Sequence, residues 1–77
     1  MSLKIGLGAA IRHERSVLSI SQGELAKRSG LHRTYVSDLE RGARNPSIEK
    51  IEKLAQALEV SVAKLFERAY DRLGDGS

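Results

Sequence analysis

Residues 22–41, QGELAKRSGLHRTYVSDLER, constrain the fold of this chain more than any other stretch. They read as two short helices meeting at a glycine. Leu25 and Ala26 form an apolar face on the first helix, and Val36 and Leu39 form one on the second, at helical spacing. Gly30 lies between them, where a tight turn asks for a positive φ that other residues adopt only at a steric cost. Ser21 precedes the first helix and Glu24 follows three residues later, the pattern of a capping box. With Val36 and Leu39 turned inward, the same spacing turns Arg33, Thr34, Ser37, Asp38 and Arg41 outward. A helix with that outer face suits a polar, negatively charged partner.

The rest of the chain reads as helices that cover this pair. The first spans 3–18, with Leu7 and Ile11 inward. Gly6-Leu7-Gly8 is no dinucleotide loop, since no strand precedes it and Ile11 stands where that pattern needs glycine. Gly8 instead suits a close approach of two helices. The second helix spans 22–29. The third spans 33–41 and stops at Gly42, with His32, a poor cap, at its N-cap. Pro46 pushes Asn45 out of the helical region, so 43–46 is a loop. Ser47 caps a fourth helix with Ile48, Ile51, Leu54, Ala55 and Leu58 at helical period. Ser61 caps a fifth with Val62, Leu65, Phe66, Ala69, Tyr70 and Leu73, and a frayed tail is expected from Gly74. Five helices without a strand signal make an all-α domain spanning 1–77.

At 77 residues such a domain buries only about 60% of its unfolded surface. It has no cysteine and no metal-ligand cluster to staple it, which leaves oligomerisation as the common route to added stability. The net charge is +3, but unevenly spread. Residues 1–45 carry eight Lys/Arg (4, 12, 15, 27, 28, 33, 41, 44) against four acids (14, 24, 38, 40), whereas 46–77 carry five against six. Positive charge is thus concentrated around the helix pair, the footprint of a polyanion partner. No run resembles a signal peptide or a membrane span. The expectation is a cytoplasmic protein with no membrane contact, cofactor or small-molecule ligand. His13 and His32 lie on separate small elements with no room for a deep pocket, so catalysis is not expected.

Several spaced residues resemble one family. These are Leu7-Gly8-x-x-Ile11-Arg12-x-x-Arg15, Ser21-Gln22-x-x-Leu25-Ala26-x-x-Ser29-Gly30-Leu31, Tyr35-Val36-Ser37-x-x-Glu40-Arg41-Gly42, Asn45-Pro46 and Leu54-Ala55-x-x-Leu58. Together they resemble the Cro/C1-type (XRE) helix–turn–helix family across about residues 5–67. The run from Arg33 to Asn45 is also similar to the small controller proteins of restriction–modification systems. The resemblance implies a five-helix, lambda repressor-like DNA-binding domain whose third helix reads bases. It places Arg33, Thr34, Ser37 and Asp38 at base-reading positions. It places Gln22, Tyr35, Arg41, Arg44 and Asn45 near the DNA backbone, Gln22 either on a phosphate or bracing the reading helix. Arg15 and Glu40 match an internal ion pair. The side-chain chemistry suits these roles: arginine bonds guanine in a bidentate manner, and threonine offers a hydroxyl and a methyl. Asp38 either accepts from a cytosine amino group or stands as a solvated charge at the groove edge. Three positions depart from the family pattern. Glu14 stands where leucine is usual, Leu18 where a charge is usual, and Ser19 where glycine closes the helix. A buried Glu14 needs a partner, for which Arg12 and Lys4 are the candidates.

A single helix–turn–helix reads few base pairs, so two copies on half-sites about 34 Å apart are expected. Helix five, with the tail (61–77), is the candidate dimerisation element: Leu65 and Phe66 are assigned to the core, and Val60, Val62, Ala69, Tyr70 and Leu73 to a two-fold interface, the competing reading being a frayed last turn. The expected function is sequence-specific binding of double-stranded DNA at inverted repeats, as a restriction–modification controller or a phage-type repressor. The alternative is an antitoxin or protein-interaction adaptor built on the same fold.

Overall fold

The computed structural model describes residues 2–75, with side chains through 71. Five helices follow one another: α1 (Leu3–Val17), α2 (Gln22–Ser29), α3 (Arg33–Glu40), α4 (Ile48–Leu58) and α5 (Val62–Asp75). No strand occurs among the described residues. Serine starts three of the helices: Ser21, Ser47 and Ser61 accept at Oγ from the backbone N–H of Glu24 (3.0 Å), Lys50 (3.3 Å) and Lys64 (3.0 Å). Each satisfies a donor that the first helical turn leaves open. The Glu24 carboxylate is engaged by Arg28, at 2.9 Å. His32 at the start of α3 makes no side-chain cap bond.

The first four helices end in the same way. A residue with positive φ (Ser19 56°, Gly30 73°, Gly42 73°, Glu59 62°) follows each helix. The next N–H then returns to a carbonyl five residues back: Ile20 to Arg15 (3.2 Å), Leu31 to Ala26 (3.0 Å), Ala43 to Asp38 (2.9 Å) and Val60 to Ala55 (3.0 Å). This closure satisfies the orphan carbonyls of the last turn. Glycine fits the left-handed position at two of these ends, whereas Ser19 and Glu59 hold it against a steric cost.

The core is built from Leu7, Ala10, Ile11, Leu25, Ala26, Val36, Leu39, Ile51, Leu54, Ala55, Ala57, Leu58, Leu65 and Ala69. Leu18, Ile20, Leu31, Tyr35, Val60, Val62 and Phe66 are partly buried against it. Helix α1 lies along α5 and also packs on α3. Its approach to α3 depends on Gly8: a Cβ there would sit 2.2 Å from the Leu39 carbonyl oxygen and 3.0 Å from that of Glu40.

Four expectations need correction. Ala69 is not at a free surface: it lies one turn after Leu65 on the buried stripe of α5 and is enclosed within the chain's own core. Ile48 is 62% exposed, at an open groove that it lines together with Leu3, Leu7, Pro46 and Phe66. Glu14 is buried, and its partner is Arg68 of α5 rather than Arg12 or Lys4. Helix α5 continues through Gly74 to Asp75 instead of fraying at Gly74. Tyr70 is exposed, and the side chain of Leu73 lies outside the described residues. No helix among the described residues is long and apolar enough to cross a membrane.

Candidate nucleic-acid interface

A polar network holds α2 and α3 in place. Arg15 on α1 donates from Nε to Glu40 Oε2 at 2.8 Å and from Nη2 to Glu40 Oε1 at 3.0 Å. Its Nη1 donates to the carbonyl of Ile20 at 3.0 Å. Gln22, the first residue of α2, donates to the same Glu40 Oε1 at 3.1 Å. The Glu40 side chain is only 3% exposed, and its hydrogen bonds raise the Arg15 pKa further above its already high ordinary value. One carboxylate thereby joins α1, the start of α2 and the end of α3, and Arg15 adds the turn after α1. The bidentate geometry fixes orientation as well as distance.

On the outer side, Gln22, Arg33, Thr34, Ser37, Asp38 and Arg41 line one shallow, open depression. Arg33 and Thr34 are exposed at the first turn of α3, while Ser37 and Asp38 are half-buried one turn on. The Asp38 carboxylate is bridged by Arg41 and by Arg44, whose Nε lies 3.2 Å from Oδ2. Hydrogen bonds from Arg44 and then Arg41 push the Asp38 pKa below the usual carboxylate value. A depressed pKa keeps the carboxylate ionised at neutral pH, and these pairs weaken only as the pH falls through it.

Tyr35 is half-buried, with the Arg44 guanidinium 5.0 Å and the Lys50 ammonium 4.4 Å from its ring centroid. Both distances lie within cation–π range. Asn45 is exposed in the loop beyond. Six of the base- and backbone-facing positions expected from the sequence thus share a single depression, while Tyr35 lies within α3 and Arg44 and Asn45 follow it. Lys50 was missed. It lies in the first turn of α4, and only the return of the chain after Pro46 brings it over Tyr35.

A helix-turn-helix family model matches residues 18–65, more than half of the chain. The chain belongs to the helix–turn–helix family. It is 43% identical over 68 residues to the control protein C.SmaI of Serratia marcescens, covering 88% of this chain and 81% of that one. Among solved structures it is similar to the restriction–modification controller protein C.AhdI from Aeromonas hydrophila, with a TM-score of 0.79 and 42% identity over 80% of this chain and 94% of that one. The clp gene regulator ClgR from Corynebacterium glutamicum superposes with a TM-score of 0.93 at 34% identity, over 96% of this chain and 79% of that one. As a helix–turn–helix protein of this kind, the chain is a DNA-binding transcription regulator and not an enzyme.

Proposed function

We propose that this regulator works in the cytoplasm as a homodimer on an inverted-repeat operator, most closely in the manner of a restriction–modification controller. Arg33, Thr34 and Ser37 meet base edges in the major groove. Gln22, Tyr35, Arg41, Arg44 and Asn45 lie toward the sugar–phosphate backbone. Gln22 combines that position with its bond to Glu40. The observation that carries this reading is the open Arg33–Thr34 end of α3, presented to solvent while Arg15 and Glu40 lock its other end to the body of the domain. Similarity to C.SmaI and C.AhdI, both described as control proteins, supports the narrower assignment. For the two-fold contact, Val60, Val62, Tyr70 and Leu73 are the candidates once Ala69 is removed.

Selection from a random duplex pool tests the reading. The wild type enriches a palindromic motif. Arg33→Ala relaxes preference at one position of each half-site and costs about 1–3 kcal/mol there. Arg44→Ala weakens all sequences alike and flattens the salt dependence by about one unit of slope. Sedimentation at micromolar concentration yields a dimer. If no motif is enriched, the protein-binding alternative, an antitoxin or adaptor, replaces this reading.

A further inference from the structure

Asp38 is out of place on a surface meant for phosphates. The other acids near the reading helix are committed elsewhere, Glu40 to Arg15 beneath α3 and Glu24 to Arg28. Asp38 lines the depression itself. Its side chain is 18% exposed, against 66% for Arg41 and 51% for Arg44, and each of its two oxygens pairs with one of these arginines. Arg41 and Arg44 flank the left-handed turn at Gly42, and the Ala43 N–H in that turn is bonded to the Asp38 carbonyl at 2.9 Å. Main chain and side chain of one residue therefore hold the segment that carries both guanidiniums. Each guanidinium has five donors and spends few of them on Asp38, so most of each remains available to DNA.

Resting on the operator reading above, we propose that Asp38 sets specificity by restraining Arg41 and Arg44, without touching a base. Its carboxylate competes with phosphate for the two guanidiniums. Phosphate contacts supply the sequence-independent part of affinity. A built-in competitor therefore weakens binding to arbitrary DNA. At the correct site, base contacts seat α3, and arginines already held in position lose little. The ratio of specific to non-specific binding rises, and that ratio governs occupancy in a genome.

The test measures binding to a scrambled duplex of about 20 bp, and to the motif the wild type selects, at several salt concentrations. Asp38→Asn tightens scrambled binding about fivefold and steepens the salt slope by about one unit. Binding to the selected motif changes by less than about twofold, and the enriched motif stays the same. With Arg41→Ala and Arg44→Ala already present, Asp38→Asn no longer tightens scrambled binding. Asp38→Ser, also neutral and small, repeats the Asn result and guards against a folding artefact of either variant. Unchanged scrambled binding overturns the proposal. So does full tightening in the absence of both arginines, which makes Asp38 a bare charge. A changed base at one operator position also overturns it, because Asp38 is then a direct reader. If the wild type enriches no motif, the operator reading fails by itself, and the scrambled duplex still decides whether Asp38 restrains the arginines.

Discussion

Two neighbouring residues of α1 make opposite use of the same chemistry. Arg15 turns toward α3 and meets Glu40, while Glu14 turns toward α5 and meets Arg68. The α1–α3 seam joins Arg15, Ile20, Gln22 and Glu40 in one polar network. The α1–α5 seam is mainly apolar around Leu65 and Ala69, with the Glu14–Arg68 pair set into it. Apolar packing supplies stability without direction, whereas a bidentate ion pair supplies direction at a desolvation cost. The seam that must aim a helix is the one built with direction.

Substitutions that break or sharpen this contrast can be ranked. The largest effect comes from Gly8→Ala. Its Cβ would meet backbone at the α1–α3 contact, 2.2 Å from the Leu39 oxygen, and backbone cannot swing aside as a side chain does. Urea unfolding registers a loss of about 3 kcal/mol or more, most of the stability of so small a domain, and DNA binding goes with it. Next is Arg15→Leu, which leaves the Glu40 carboxylate buried without its cation and costs about 3 kcal/mol. The matching change on the other seam, Glu14→Leu, is neutral or stabilises by about 1 kcal/mol. It removes a buried charge, and Arg68, already partly exposed, extends into water. Equal losses from the two variants in thermal melts would erase the distinction between the seams. The smallest effect is a gain. Ser19→Gly and Glu59→Gly relieve left-handed strain at φ 56° and 62°, each adding about 0.5–1 kcal/mol. That corresponds to a rise of a few degrees in Tm.

What was legible before the structure follows a physical line. The capping serines, the Gly30 turn and the outward Arg33–Thr34 face depend on contacts within a few residues, where helical period and side-chain chemistry suffice. Departures from pattern are also visible as departures: Glu14 reads as a charge in need of a partner. Its partner is not visible, because Arg68 lies on the last helix and only the α1–α5 crossing brings the two together. Ile48 and Ala69 show the same limit from the apolar side. Both sit at correct helical spacing, yet the isoleucine is exposed and the alanine enclosed, since burial depends on which neighbour a helix face meets. Within the site, Lys50 over Tyr35 escaped for that reason, whereas the grip of Arg41 and Arg44 on Asp38 is local and spans only the turn at Gly42.

By itself the sequence determined five helices, where the first three of them stop, and the residues that one of them turns outward, because these are short-range properties of the backbone and of side-chain period. Tertiary structure alone decided that Glu14 meets Arg68, which apolar side chains stay in water, and how α3 is aimed. Those outcomes depend on interhelical angles and distances, which are settled collectively by the packing of the whole core.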